Sequence, residues 1–126
     1  MRFGVAFLTL ALCGCGGGLE RASFSADDLI YARSGRVGLS LTNVSTIKLG
    51  VNLCLSQLIS SDGKTMGPSE AATCELEPKI VEPGDSVEGR KTIPAGLTPG
   101  KWRYATTIRL PTGAGEKILT QEFDVQ

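Results

Sequence analysis

The chain has no histidine, no excess of either charge, few aromatic residues (one Trp, two Tyr, four Phe) and no apolar run long enough to cross a bilayer. Without histidine, the usual general base and metal ligand near neutral pH is missing, so Ser-His-Asp and Cys-His catalysis are excluded. Thirteen Lys+Arg balance thirteen Asp+Glu at a pI of about 6.2, which leaves no electrostatic case for nucleic acid. The longest apolar run, Phe3 to Leu12, would rise about 15 Å as a helix, half of a bilayer core. A length of 126 residues accommodates one domain.

Arg2 and the run after it have the form of a signal peptide: a short positive region, then an apolar segment interrupted only by Gly4 and Thr9. Leu12-Cys13-Gly14-Cys15, followed by Gly16-Gly17-Gly18, resembles the lipobox of bacterial lipoproteins. There an apolar, a variable and a small residue precede the cysteine that is lipidated. Gly14 ahead of Cys15 fits the small position, whereas lipidation at Cys13 would put Leu12 there. The alternative is an ordinary secretory signal with incidental cysteines.

The lipobox resemblance implies that residues 1–14 are a cleaved lipoprotein signal peptide. Cys15 would carry the acyl chains (palmitate among them) into the bilayer, and residues 15–22 would form a Gly-rich tether. It further implies a membrane-anchored protein of the cell envelope, on the periplasmic face of the outer membrane if the cell is Gram-negative, because Gly16 rather than Asp follows the cysteine.

Residues 23–126 read as strands. Val37, Leu39 and Leu41 alternate with Gly38, Ser40 and Thr42, and Leu49, Val51, Leu53 and Leu55 alternate with Gly50, Asn52, Cys54 and Ser56. Cys74 to Val81 forms a short strand that Pro78 confines to an edge or a bulge. Pro83-Gly84-Asp85 is a turn ahead of a strand from Val87 to Ile93. Leu97-Thr98-Pro99-Gly100 introduces the strongest strand, with Trp102, Tyr104, Thr106, Ile108 and Leu110 on one side and Arg103, Ala105, Thr107 and Arg109 on the other. Asp28 to Ala32, with Leu29 and Tyr31 in phase, makes a first strand, and Lys117 to Val125 the last. The expected fold is all-β, an antiparallel sandwich of about seven strands.

Two segments resemble bacterial immunoglobulin-like (fibronectin type III-like) domains. Val37 to Ser45 is similar to their second strand and its turn. Ile80 to Ser86, Ile93-Pro94 and Leu97 to Tyr104 are similar to their later half, where a Pro-Gly turn introduces an aromatic and a basic residue. The closing Glu122 to Val125 fits their last strand. The resemblance implies an immunoglobulin-like β-sandwich and says almost nothing about function.

With Cys15 lipidated and Cys13 removed, Cys54 and Cys74 remain as a pair. An oxidising compartment favours a disulfide bond between them, two free thiols being the alternative. Cys54 is out of phase with the apolar face of its strand while Cys74 shares parity with Leu76, so a bulge or strand end has to bring them together. Two cysteines at this spacing make no zinc site, and no metal or other cofactor is expected.

Several side-chain groups have a bland and a sharp reading. Trp102 and Tyr104 share the phase of Ile108 and Leu110, so they read as core before sugar platform. Asp27 and Asp28, with Glu20 and Asp124 elsewhere, lack a ligand-rich loop for calcium. Glu75 and Glu77 read as an exposed edge before a glycosidase pair. Lys101, Arg103 and Arg109 on one outer strand face read as ordinary surface before a site for an acidic partner or lipid headgroups.

The resulting expectation is a non-enzymatic binding or assembly module whose partner is an envelope protein or glycan. Ser60 to Thr73 is the longest irregular stretch, and Lys64, Met66 and Glu70 are its candidate contact residues. The alternative is an envelope protease inhibitor presenting the same loop between Cys54 and Cys74.

Overall fold

The structure is a computed structural model that describes residues 21–68, 74–75 and 77–126. Ten strands occur among them: β1 (Ala22–Ala26), β2 (Ile30–Tyr31), β3 (Arg36–Asn43), β4 (Leu49–Val51), β5 (Gln57–Ser60), β6 (Lys79–Val81), β7 (Ser86–Thr92), β8 (Gly100–Arg109), β9 (Gly115–Leu119) and β10 (Phe123–Val125). The other regular element is a 3-10 turn at Leu53–Leu55. No helix among the described residues is long and apolar enough to cross a membrane. The lipobox with Cys15, the signal peptide and Glu70 lie outside the described residues.

The strands form two open sheets, one of order β1-β3-β7 and one of order β2-β10-β8-β4-β6. β8 organises the larger sheet. Along one edge it pairs with β10 and then β9, and along the other with β5 and then β4. The inward faces share one core, to which the small sheet contributes Phe24, Val37, Leu39 and Leu41 and the large sheet Trp102, Tyr104, Ile108 and Phe123. Burying each such side chain stabilises by about 1.5–3 kcal/mol, so the chain is an all-β sandwich held by its inward alternation.

Several expectations are corrected. There are ten strands among the described residues rather than about seven, because β1 and β5 lie outside the expected strands and the last expected strand is divided. The run from Leu49 to Ser56 breaks at the 3-10 turn, and Lys117 to Val125 breaks at Thr120-Gln121. β1 begins at Ala22, the last residue given to the tether. The sandwich is not wholly antiparallel, since β2 runs parallel to β10. Leu29 shares no core with Tyr31: it is 60% exposed, because the first expected strand shrinks to Ile30–Tyr31.

That shortening has a local cause. The chain passes from the small sheet to the large one between Ala26 and Ile30, and Tyr31 pins the crossing. Its hydroxyl donates to Asp27 Oδ1 at 2.5 Å and accepts the backbone N–H of Asp28 at 2.6 Å. Donation from Tyr31 holds the Asp27 carboxyl below its ordinary value, and burial pushes the Tyr31 phenol well above its own. Asp27 lies over Gly38, where a Cβ would approach its Oδ2 to 2.7 Å and would have to displace that carboxylate.

Asn43 fixes the opposite end of β3. It is fully buried, and its amide donates to the carbonyls of Ile47 (2.8 Å) and Val81 (2.9 Å) while its oxygen accepts from Ser45 N and Oγ. A buried amide with its bonds made ties two strand ends to one turn, where a bare one would cost about 1–3 kcal/mol.

Candidate binding surface beside the disulfide

At Asn52 the chain leaves β4. The Asn52 side chain accepts the N–H of Cys54 at 3.2 Å and donates to the carbonyl of Glu75. The 3-10 turn that follows swings Cys54 out of the strand phase and toward Cys74, and the two form a disulfide with Cα atoms 5.7 Å apart. Leu53 points into the core against Gly89, where a Cβ would meet it at 3.2 Å. Leu55, expected on the apolar face, is 57% exposed as a result of the turn.

β5 then runs back along β8 and ends in a hairpin. Ser60 N donates to Thr65 O (2.7 Å), Gly63 N to Ser60 O (2.8 Å) and Gly67 N to Leu58 O (2.9 Å), and Ile59 bridges Met66. Gly63 supplies the positive φ the bend needs. Asp62 locks the tip, since its Oδ1 accepts from Ser60 Oγ (2.5 Å) and Lys64 N (2.9 Å), and these bonds hold its carboxyl below the ordinary range. The first part of the expected loop is therefore an ordered turn. It leaves Lys64 exposed and Met66 54% exposed at the rim of a cleft of about 320 Å3.

Cys74, Gln57 and Pro68 line the same cleft, and Lys91 lies at its base. Lys91 was not singled out from the sequence, because in β7 it occupies an inward position between Gly89 and Ile93 where alternation calls for an apolar residue. Its stem is buried and its ammonium donates to Cys54 O at 2.7 Å, so it braces the 3-10 turn against the small sheet. Sequence carries no signal for this role, which depends on the strand break. The arrangement offers shape, an exposed thioether and hydrogen-bonding groups, which suits recognition of a surface.

The remaining candidates are spread apart. Trp102 and Tyr104 are 5% and 1% exposed and belong to the core, and the Trp102 indole N–H donates to Thr98 O at 2.8 Å. Asp27 and Asp28 serve the strand crossing, and no group of three potential metal ligands occurs among the described residues. Glu75 and Glu77 are exposed and precede β6. Lys101 is neutralised by Asp124 (2.8 Å) and Glu122 (3.8 Å), a contact that raises the pKa of its ammonium. Arg103 is half-buried and Arg109 exposed.

No family model matches the chain, and no curated protein matches it. Among solved structures, it is similar to the structural genomics target SoR45 (TM-score 0.48, 8% identity, covering 82% of this chain and 81% of that one). It is also similar to the PmoD soluble domain from Methylocystis sp. (0.48, 12%, 88% and 95%) and to the sporulation control protein Spo0M from Bacillus subtilis (0.46, 11%, 86% and 50%). Every one of these scores lies below 0.5, and none carries an argument about function.

Proposed function

We propose that the chain is a lipid-tethered, non-catalytic module of the bacterial cell envelope. In this reading an immunoglobulin-like sandwich captures an envelope protein or glycan through the 60–73 loop. The observation that carries the proposal is the locked hairpin, which holds Met66 exposed beside the Cys54–Cys74 bridge. An exposed thioether is adaptable in contact, and the ordered hairpin under it confines the entropy lost on binding to the side chain.

Support for the immunoglobulin-like reading comes from strand order. The β3–β7 pair in one sheet corresponds to the central pair of such domains, and β4, β8 and β9–β10 in the other correspond to their C-F-G trio. The lipobox residues Gly14 and Cys15 support the tether.

Lys64→Ala, Met66→Ala and Glu70→Ala together, in the full-length chain, are expected to abolish crosslinking to a partner in intact cells without lowering the melting temperature. Retained crosslinking removes the loop from consideration. Cys15→Ser is expected to release the protein from the membrane fraction; a wild-type protein that is itself soluble ends the lipoprotein reading.

The Asp62 lock also favours a second reading, an inhibitor of an envelope protease, since a locked hairpin beside a disulfide resists cleavage. Near-stoichiometric inhibition of one enzyme in a protease panel selects that reading over partner assembly.

A further inference from the structure

A shallow groove of about 530 Å3 crosses the outward face of the large sheet. It exists because the strand beside β8 is interrupted. β5 pairs with Trp102 to Ala105 and β4 with Ile108 and Arg109, and between them the chain departs through the 3-10 turn. The floor carries little side chain. It includes Ala105 and Gly50, where a Cβ would already meet Pro78 at 3.4 Å and Arg109 at 3.6 Å. The amides of Asn52 and Gln57 line the groove, and Arg109 and Lys117 complete it.

Register places those two cations together. Thr107 faces Lys117 across the β8–β9 ladder, and Arg109 is two residues along on the same face, a diagonal separation of roughly 7–8 Å. Both are exposed, and neither has a carboxylate within 4.0 Å among the described residues. The hydrogen bond Arg109 makes there is a long one, 3.5 Å to Gly113 O. Arg21, Lys48 and Lys101 each have an acidic partner, while Arg33 and Arg36 among the described residues have none either, so adjacency beside the groove is what distinguishes Arg109 and Lys117. Two neighbouring like charges left without counter-ions beside a cleft favour an anionic occupant.

We infer that this groove binds an extended acidic segment of a partner polypeptide. Arg109 offers a planar fork to a carboxylate and Lys117 a second positive charge, while the Gln57 amide matches peptide N–H and C=O groups. Exposed Leu55 at the rim supplies an apolar contact, and no aromatic ring lines the groove for a sugar to stack on. This surface adjoins the cleft beside the hairpin and shares Leu55 and Gln57 with it, but Arg109 and Lys117 line the groove alone, so the inference does not depend on the reading given to the hairpin.

The test is fluorescence anisotropy of a fluorescein-labelled peptide of alternating glutamate and alanine, titrated with the full-length chain in detergent. The glutamine-alanine peptide is the neutral control. The acidic peptide binds and the neutral one does not. Arg109→Gln with Lys117→Gln weakens binding by about tenfold or more, while Arg33→Gln with Arg36→Gln, the same charge change elsewhere, leaves it within about twofold. Absence of binding overturns the inference, and so does equal weakening by both pairs, which reports net charge rather than the groove. Dependence on Arg109 and Lys117 seen with anionic phospholipid vesicles and not with the peptide assigns the groove to lipid headgroups and overturns the peptide.

Discussion

β8 and the segment beside it begin from the same sequence pattern and end as different structures. Trp102, Tyr104, Thr106 and Ile108 alternate inward along ten unbroken residues, whereas Leu49, Val51, Leu53 and Leu55 start the same way and the chain turns out of the sheet after Val51. The difference lies in the residues between the hydrophobes. β8 interleaves side chains content on an outer face, while its neighbour interleaves Asn52, which caps a turn, and Cys54, which is bonded to Cys74. Hydrophobic alternation proposes a strand, and a capping amide with a covalent partner overrules it at the cost of exposing Leu55.

The largest effect is expected where the regular strand is broken. Trp102→Ala removes a buried ring and its bond to Thr98, and should lower stability by about 3–5 kcal/mol in urea unfolding. A loss below about 1 kcal/mol would show that β8 does not anchor the core.

Next comes the bridge. Cys54→Ser with Cys74→Ser opens a loop with a sequence separation of 20 and should remove about 3 kcal/mol. Hydrogen exchange should then show amide protection falling around the 3-10 turn and β5 while β8 and β9 keep theirs. Uniform loss across both segments would erase the contrast.

Asn52→Ala takes away the cap and the contact to Glu75 and should cost about 1 kcal/mol. If thermal unfolding is unchanged, the disulfide alone makes the break.

The smallest effect comes from the crossing between β1 and β2, a departure held by a charge. The Asp27 carboxyl titrates below its ordinary value of 3.8 because Tyr31 donates to it. Its contribution is thus fully present above about pH 4 and is lost as pH falls through the lower folded value. Urea midpoints measured from pH 5 downward should fall more for wild type than for Asp27→Asn or Tyr31→Phe. The disulfide-held break should contribute no such slope.

Much of this fold was legible. β3 and β8 follow from alternation and the start of β7 from Pro83-Gly84, while the strand expected from Cys74 to Val81 does lie at a sheet edge but is confined to Lys79–Val81, after Pro78. The out-of-phase position of Cys54 in its strand is resolved by the 3-10 turn, which carries it to Cys74. β1 went unread because Ala22, Ser23 and Ser25 give a weak pattern around a single Phe24. Asn43 looked like a turn residue, yet its importance lies in bonds to Val81, far away in sequence. Of the candidate surface residues, Met66 and Lys64 follow from loop length, and both are exposed at the hairpin. Lys91 and Lys117 depend on which strands become neighbours, and a single strand's pattern does not contain that.

Residue 21 adjoins Val44 and Glu116, at the Ile108 end of β8, whereas the hairpin leaves β5 at the Trp102 end, about 20 Å along the strand. A pull on residue 21 against a partner held at the hairpin therefore runs along the strand axes. The five paired positions between β1 and β3 lie across that line and share the load, as in a glued lap joint. They must yield together instead of opening one after another, so under the proposed tether and partner the β1–β3 ladder would be loaded in shear rather than peeled.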